Sequence, residues 1–497
     1  MNFETMKDII DYAAETYGSG TAFRYMKGKD IIDKSYNELK HDTEAFSASL
    51  NSMGALGAHT AIIGATSYEW IVSYFGTVNS GGVVVPIDAL LPEQNVCELL
   101  ERADIEVFVY DKQHKKAAEL AKKLCPKIRH YISIDDSEEV SVSAMISQDN
   151  PPVNVTIDNN RMCAILFTSG TTGKSKGVML THKNLADNAV SIEADIKPQT
   201  TSLTVLPIHH AYCFTVDILK GIALGNIICI NDSMMHMVKN MNLFRPELML
   251  LVPMMIETLY SRLKSIDPSQ RAAAAKSVFG DRLKTIYSGG AYLNPDYIEK
   301  FREFGISIYQ GYGMTECSPV ISSNVEGRVK NDSVGKLIAN CTAKTVDGEI
   351  WVKGSSVMMG YYKMPEETSE TLEDSWLKTG DLGYIDDDDF VYITGRKKNL
   401  IILSNGENIS PEEIENELSG NDLIKEIIVK GNAGVIEAEI FPDEDYMKNA
   451  GITDAKAALQ SIIDELNRSY PPYKRIAKLT VRDTEFEKTP SRKIKRT

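Results

Sequence analysis

The chain has 497 residues, a formal net charge of −15 at pH 7 and 43% hydrophobic residues. This length exceeds one ordinary hydrophobic core and implies two or more domains. The negative charge argues against nonspecific nucleic-acid binding, because the phosphates would be repelled. We therefore expect no nucleic-acid partner, although a locally basic cleft could still hold a small anionic ligand.

The amino-terminal segment is predicted to form an amphipathic helix, because Phe3, Met6, Ile9, Ile10 and Tyr17 recur at helical spacing. A signal peptide would need a continuous apolar core behind basic residues. No apolar run approaches the ~20 residues that span a bilayer. The seven cysteines stand singly, which disfavours disulfide scaffolds and zinc sites. We expect a cytoplasmic protein without a transmembrane segment.

Strands and helices alternate over roughly the first 320 residues, which indicates a layered α/β fold. Residues 61–65, 68–75 and 82–88 form a predicted βαβ unit. From about Asp332 the pattern changes to short β runs, typical of a hairpin or barrel-like subdomain. The run Asp386–Asp389 lies between apolar residues and predicts a tight turn. Calcium binding is the alternative, but the EF-hand spacing is absent.

The last part of the chain, roughly a hundred residues, is predicted to form a small α+β domain. Ser410, Pro411 and Glu413 form a helix start in which Ser410 is the predicted N-cap. A hairpin from Ile427 to Phe441 and a helix from Ala455 to Arg468 follow.

The stretch TSGTTGKSKG, from Thr168 to Gly177, is a candidate phosphate-binding loop. It is not a Walker loop, because Thr168 stands where that pattern needs glycine and strand-forming residues follow it in place of a helix. Its small residues, hydroxyls and lysines could cradle phosphate oxygens between two strands. A solvent-exposed Gly/Ser/Thr loop is the alternative.

Further motifs follow in chain order, namely LPIHHAY (206–212), SGGA (288–291), YQGYGMTE (309–316), KTGD (378–381), GRKKNLI (395–401), GENISPEEIE (406–415) and KTPSRKIKR (488–496). The series resembles the adenylate-forming superfamily of acyl-CoA synthetases, firefly-type luciferases and nonribosomal-peptide adenylation domains. The resemblance covers nearly the whole chain. It implies a large α/β adenylation domain of several subdomains (1–397), with a β-barrel-like subdomain, and a small mobile α+β lid domain (398–497).

The resemblance also implies an ATP site. Its phosphate-binding residues would be Thr168, Ser169, Gly170, Thr171, Thr172, Gly173 and Lys176. Its adenine and α-phosphate residues would be Gly289, Gly290 and Ala291 as a flat wall, and Gly311, Tyr312, Gly313, Met314 and Thr315, with Tyr312 stacking on the base and Thr315 on the α-phosphate. Asp381 and Arg396 would hold the ribose, and Glu316 would ligate Mg²⁺.

The same resemblance implies two catalytic residues. Lys493 would reach the α-phosphate when the small domain closes, and His210 would lie beside the substrate carboxylate. Taken singly, Lys493 could belong to a solvated basic tail and His210 to the core. Lys398 would act as the hinge for the second half-reaction, and Gly406 would line the pantetheine tunnel.

Two positions depart from the family pattern. Ser175 stands where the family usually has proline, and Arg492 where it has glycine. The first change implies a more mobile loop, and the second puts the fit of the closing segment in question.

The activity implied is that of an ATP-dependent ligase. It forms an acyl-AMP with release of pyrophosphate and then transfers the acyl group to CoA, using ATP and Mg²⁺. Tyr212 stands where amino-acid-activating relatives carry aspartate, so an α-amino acid is disfavoured. The apolar and aromatic segment 210–214 suits an acyl chain or an aryl acid. The closing motifs look most like bacterial medium- or long-chain fatty-acyl-CoA ligases.

Three alternatives remain open. One is an enzyme that loads an acyl or aryl group onto a carrier protein. Another is a P-loop ATPase or kinase that would release ADP. The third is a silent binding protein that keeps the fold.

Overall fold

The computed structural model describes residues 3–136, 140–168, 175–193, 196–264, 266–403, 407–432, 435–488 and 494–496. The predicted site residues that lie outside these ranges are Ser169, Gly170, Thr171, Thr172, Gly173, Gly406 and Lys493. Within the described ranges, every helix is too short or too polar to cross a bilayer.

The helices are numbered in chain order. They are α1 Met6–Tyr17, α2 Tyr36–Ser52, α3 Tyr68–Asn79, α4 Glu93–Arg102, α5 Lys115–Leu124, α6 Val142–Ile146, α7 His182–Ser191, α8 Lys220–Ala223, α9 Met237–Phe244, α10 Pro253–Lys264, α11 Pro268–Phe279, α12 Asp296–Arg302, α13 Pro365–Thr371, α14 Pro411–Leu418, α15 Glu444–Ala450 and α16 Ala455–Ser469. A π-helical segment, Cys213–Leu219, leads directly into α8.

The strands are numbered in the same way. They are β1 Thr21–Lys27, β2 Asp30–Ser35, β3 His59–Ile63, β4 Val83–Ile87, β5 Val107–Tyr110, β6 His130–Ser133, β7 Met162–Thr168, β8 Lys176–Thr181, β9 Thr201–Thr204, β10 Ile227–Ile230, β11 Leu248–Leu251, β12 Thr285–Ser288, β13 Ser307–Gly313, β14 Val320–Ser323, β15 Lys336–Leu337, β16 Cys341–Val346, β17 Glu349–Gly354, β18 Gly360–Tyr361, β19 Leu372–Glu373, β20 Trp376–Ile385, β21 Val391–Arg396, β22 Ile401–Ile402, β23 Asn408–Ile409, β24 Ile424–Asn432, β25 Val435–Pro442 and β26 Ile476–Val481.

The amino-terminal helix is the amphipathic helix that its pattern predicts. A capping box between Thr5 and Asp8 starts α1, and its apolar residues Met6, Ile9 and Ile10 are buried. The helix therefore covers the core with one face and leaves its charged face to solvent.

One sheet contains the predicted βαβ unit. Its strand order is β18-β8-β7-β4-β3-β5-β6. The strands β3 and β4 precede and follow α3 in the chain. They pair in parallel, with Ala61 opposite Val85. At the other side of β4, the antiparallel pair β7 and β8 carries the candidate phosphate loop at its tip. The two predicted strands are confirmed, and residues 169–174 between them lie outside the described ranges.

The second large sheet has the order β15-β14-β13-β12-β11-β9-β10-β1-β2. Its strands β11, β12 and β13 are parallel neighbours. In an open α/β sheet, ligands bind outside the carboxyl ends of such strands. Residues 289–291 follow β12 and residues 314–316 follow β13, so two predicted motifs lie at this edge.

The region in which we expected a barrel-like subdomain forms an antiparallel sheet of β16, β17, β19, β20 and β21. The acidic run joins β20 to β21 by a tight turn, as predicted. Backbone N–H groups of Asp388 and Phe390 donate to Asp386 Oδ1, each at 3.0 Å. The Lys330 ammonium donates to Asp386 at 2.6 Å and to Asp388 at 2.9 Å, which neutralises part of the acidic charge.

The carboxyl-terminal part has a hydrophobic core of its own, built from α14, α16 and the β24-β25-β26 sheet. Ser410 is the N-cap residue of α14 and Pro411 its first residue, as predicted, but the Ser410 side chain makes no capping hydrogen bond. Its hydroxyl instead donates to the Thr394 carbonyl at 2.7 Å. A Cβ on Gly395 would lie 2.0 Å from that hydroxyl oxygen, so glycine is needed for this approach. This hydrogen bond connects the residue before α14 to β21, so the hydroxyl is not used to cap α14.

All seven cysteines are buried free thiols. Free cysteine often behaves as a small hydrophobic residue in a core. The thiols therefore contribute packing and stay away from solvent.

Candidate active site

The ends of the candidate phosphate loop are fixed by the β7–β8 pair. Thr168 lies opposite Lys176 in the register, and its hydroxyl is 3.5 Å from the Lys176 carbonyl oxygen. Arg102 donates to the Ser175 carbonyl at 2.5 Å. At the position where the family usually has proline, a guanidinium from α4 thus holds the loop exit.

Tyr361 joins the predicted phosphate lysine to the predicted metal carboxylate. The Lys176 ammonium lies 4.6 Å from the Tyr361 ring centroid. The Tyr361 hydroxyl donates to Glu316 Oε1 at 2.9 Å. The Met358 N–H also donates to the Glu316 carbonyl, at 2.9 Å. The cation and the carboxylate therefore face the same space from two different sheets.

A second group brings together three predicted nucleoside-binding residues. Asp381 lies opposite Arg396 in the β20–β21 register. Its carboxylate accepts from Tyr312 at 2.6 Å and pairs with Arg396 Nε at 2.6 Å. Burial raises the pKa of Tyr312, and the Asp381 charge adds to this effect, so the phenol stays protonated and donates. The Tyr312 ring is held in place from its hydroxyl end.

In the predicted adenine wall, a side chain would be strained at Gly290 and crowded at Gly289. Gly290 has a φ of +84°, which favours glycine. A Cβ on Gly289 would lie 3.0 Å from the Tyr212 ring, and a Cβ on Gly313 would lie 2.1 Å from the Pro319 carbonyl oxygen. Glycine at these positions allows close packing and leaves a flat surface beside Ala291.

His210 belongs to the turn that leads into the π-helical segment. The His209 and His210 rings lie 4.1 Å apart, and the Phe214 N–H donates to the His210 carbonyl at 3.0 Å. Burial lowers the pKa of His209 to about 3, and the neighbouring His210 adds to this effect. His210 is linked to the glycine wall through Tyr212, whose hydroxyl donates to the Tyr287 carbonyl at 3.2 Å.

A buried carboxyl group that no motif predicted belongs to Asp217, in the π-helical segment that begins just after Tyr212. Asp217 is only 3% exposed, and it faces Ser202 and Thr204 of β9. One carboxyl oxygen of Asp217 has no hydrogen-bond partner. Burial raises the pKa of Asp217 to about 6. This acid is therefore easier to bury when it is protonated.

We expect folding stability to depend on the charge of Asp217. The free energy of unfolding that depends on a protonated Asp217 is fully present below the unfolded pKa of 3.8. It is lost as pH rises through the folded pKa of about 6. The loss is at most about 3 kcal/mol. The Asp217→Asn variant should therefore depend less on pH than the native chain in urea unfolding between pH 4 and pH 8. Asn substitution of the exposed Asp30 is the control, and equal pH profiles for the native chain and Asp217→Asn would contradict the expectation.

The residues around Glu316 fit a magnesium ion. Mg²⁺ in nucleotide sites is usually bound through one or two carboxylates together with substrate phosphates. Glu316 offers one carboxylate, and the Tyr361 hydroxyl orients it. Among the described residues, no three His, Cys, Asp or Glu side chains converge. A metal here would take most of its ligands from ATP phosphates and water.

Comparison with known proteins identifies the family of the chain. The family model described as AMP-binding enzyme matches residues 10–362, and that described as AMP-binding enzyme C-terminal domain matches residues 398–497. The chain belongs to the AMP-binding enzyme family. The predicted membership of the adenylate-forming superfamily is confirmed, as are the predicted fold class and the class of AMP-forming acid–thiol ligase.

Three relatives place the chain within the AMP-binding family. A long-chain-fatty-acid–CoA ligase of Bacillus subtilis is 29% identical, covering 86% of this chain and 83% of its own. A feruloyl-CoA synthase of an Amycolatopsis species is 28% identical, covering 78% of each chain. The solved structure of ATP-bound MatB from Rhodopseudomonas palustris is 25% identical, with a TM-score of 0.83 over 98% of this chain and 96% of that one.

The family assignment establishes nucleotide use by this chain. The roles of the individual site residues stay predictions, as does the domain boundary at 397/398. Two residues at the site were missed from the sequence. Tyr361 lies in GYY, a motif without chemical character of its own, and Asp217 lies in an apolar helical run.

Proposed function

We propose that this AMP-binding enzyme is an acyl-CoA synthetase that activates a medium- or long-chain fatty acid with Mg-ATP and transfers it to CoA. The observation that carries the proposal is the meeting of Lys176, Tyr361 and Glu316 at the tip of the β7–β8 pair. A phosphate-binding cation and a metal-binding carboxylate are the two groups that ATP activation needs at one point.

In the first half-reaction, the fatty-acid carboxylate attacks the α-phosphate of ATP and pyrophosphate leaves. Tyr312 and the glycine wall would hold the adenine, and Asp381 with Arg396 the ribose. Thr315 would contact the α-phosphate and His210 the carboxylate. Magnesium, when bound at Glu316, would neutralise phosphate charge. Lys493 would bring a cation to the reacting oxygens, because two anions must approach each other.

In the second half-reaction, the CoA thiol attacks the acyl-adenylate and AMP leaves. The small domain, from residue 398 onward, would rotate about Lys398 after pyrophosphate leaves and expose a pantetheine path past Gly406. The separate hydrophobic core of the carboxyl-terminal part supports motion as a unit.

The acid class is supported by the chemistry beside the glycine wall. Tyr212 lies against Gly289, and Tyr212, Val216 and Tyr287 all pack against the main core. Such a surface suits an aliphatic or aromatic acid. The relatives include one named for long-chain fatty acids and one named for a feruloyl group. The fatty acid is the class that the closing motifs favour, and the buried reduced thiols fit the cytoplasmic location proposed for the enzyme.

The proposal is tested by acid-dependent release of pyrophosphate from Mg-ATP, with fatty and aryl acids, in the presence and absence of CoA. We expect release with fatty acids, AMP as the nucleotide product, and acyl-CoA only when CoA is present. ADP as the product, or no release with any acid, would overturn it.

The second candidate is an enzyme that loads a carrier protein. It uses the same first half-reaction, so the identity of the thiol acceptor distinguishes the two candidates. An acyl carrier protein in its phosphopantetheine form replaces CoA in the same assay. Transfer to the carrier without transfer to free CoA would favour this candidate.

A further inference from the structure

Two buried asparagine side chains on α7 bind chain segments that contact Glu316. Asn184 and Asn188 are four residues apart, so both project from the same side of the helix. They are 8% and 0% exposed. The helix α7 follows β8 directly, and β8 is the strand that leaves the candidate phosphate loop. Contacts of these amides therefore connect other segments to the β7–β8 pair.

Asn188 binds the turn that follows Glu316. Its amide nitrogen donates to the Val320 carbonyl at 2.8 Å and to the Cys317 carbonyl at 3.2 Å. Its amide oxygen accepts from the Val320 N–H at 3.2 Å. The nitrogen also donates to the Ser356 hydroxyl at 2.9 Å. A carboxylate or an aliphatic side chain at this position would leave buried polar groups without partners.

Asn184 holds a second segment that contacts Glu316. Its amide nitrogen donates to the Ser355 carbonyl at 2.7 Å and to the Val357 carbonyl at 3.1 Å. The next residue, Met358, donates its N–H to the Glu316 carbonyl at 2.9 Å. Glu316 is therefore linked to α7 by two routes, through the turn that follows it and through this second segment.

We propose that Asn188, together with Asn184, is a positioning residue that sets the Thr315–Glu316 turn relative to the phosphate loop. The loop would hold the phosphates of Mg-ATP and Glu316 its metal, so an error in their spacing would weaken binding of the complex. The inference rests on the proposed function, because it uses the roles proposed there for the loop and for Glu316. The asparagines bind protein groups and act through Glu316.

The alternative is that the two asparagines only stabilise the fold. Loss of a buried amide lowers the free energy of unfolding in either case, because its partners lose their hydrogen bonds. Stability alone therefore does not distinguish the two roles. The distinguishing quantity is the effect of Mg²⁺ on ATP affinity, since a positioning residue acts on the metal-bound complex.

The test is a double-mutant cycle on the Kd of ATP, measured by titration calorimetry with saturating Mg²⁺ and again with EDTA. Asn188→Ala should raise the Kd of Mg-ATP by about tenfold, the coupling usual within one hydrogen-bond network, and leave the Kd of metal-free ATP nearly unchanged. In a Glu316→Gln chain, the same substitution should raise the Kd of Mg-ATP by less than about twofold, because the side chain through which Asn188 acts is already replaced.

Two further variants provide the controls. Asn240 is 2% exposed in α9 and donates to the Asn231 and Asp232 side chains at 2.8 and 2.7 Å. Asn240→Ala removes an equally buried helix amide elsewhere and should leave the Kd of Mg-ATP unchanged. Ser356→Ala removes only one acceptor of Asn188 and should raise this Kd by about threefold. It decides the question if Asn188→Ala does not fold.

The outcomes separate this inference from the proposed activity. Equal losses with and without Mg²⁺, or losses that multiply in the double variant, would show a purely structural role and overturn the inference. Native affinity for Mg-ATP in Asn188→Ala and Ser356→Ala would overturn it as well. Native affinity in Glu316→Gln would overturn the metal role of Glu316 and the inference with it. These titrations need no acid, so absence of pyrophosphate release with every acid would overturn only the proposed activity.

Discussion

Replacing Lys493 with alanine is expected to lower acid-dependent pyrophosphate release by about two to three orders of magnitude. The reaction joins two anions, so a cation that meets the carboxylate and the α-phosphate stabilises the transition state more than the separate reactants. Transfer from a supplied acyl-adenylate to CoA should change far less, because pyrophosphate has already left. Measuring the two half-reactions separately distinguishes these effects.

The described residues on either side of Lys493 provide the controls. Lys488 pairs with Glu426 at 2.6 Å and forms a backbone bridge with Ile494. Arg496 pairs with Glu415, which anchors the end of the chain to α14. Lys495→Ala is the matched variant, because it removes one lysine from the same basic segment. If Lys495→Ala lost as much activity as Lys493→Ala, the role assigned to Lys493 would be wrong.

Replacing Glu316 with glutamine is expected to lower pyrophosphate release by about a hundredfold and to raise the Mg²⁺ concentration needed for half-maximal rate. Glutamine keeps the size of the side chain and can still accept from Tyr361. The change therefore removes mainly the negative charge. Tyr361→Phe keeps the ring beside Lys176 and removes the hydroxyl that orients Glu316. We expect a smaller loss there, about tenfold, the value of one hydrogen bond to a charged group.

Binding measurements separate metal binding from folding. Mg-ATP should raise the thermal unfolding midpoint of the native chain and raise that of Glu316→Gln only slightly. Without ligand, the two chains should unfold at the same temperature. Glu303→Gln, at an exposed position on the surface, is the control. A Glu316→Gln variant with native Mg²⁺ dependence would show that this carboxylate does not hold the metal.

Local patterns predicted most of the fold. Alternating apolar runs predicted the βαβ unit of β3, α3 and β4, and the apolar runs on either side of the candidate phosphate loop predicted β7 and β8. In each case the signal lay within a few residues of the element that it described. The pairing of Asp381 with Arg396 also follows from a local feature, because both lie in one hairpin.

The missed features depend on contacts between distant parts of the chain. Tyr361 meets Glu316 and Lys176 only because β18 pairs with β8. The Ser410 hydroxyl donates to the Thr394 carbonyl and caps no backbone N–H of α14, an arrangement that the capping pattern does not specify. Lys220 follows an apolar run and looks like an ordinary solvated residue. Its burial depends on the end of α7, which a sequence window around Lys220 does not include.

The burial of all seven cysteines has a practical consequence. Thiol reagents in water will react slowly with the folded chain, so a single cysteine added at the surface can be labelled selectively. Leu56 in the amino-terminal part is 45% exposed, and Val435 in the carboxyl-terminal part is 42% exposed. Fluorophores on cysteines at these two positions would report the distance between the amino-terminal and carboxyl-terminal parts during turnover. The native thiols become accessible to the reagent when the chain unfolds, so their reaction would report unfolding in the same sample.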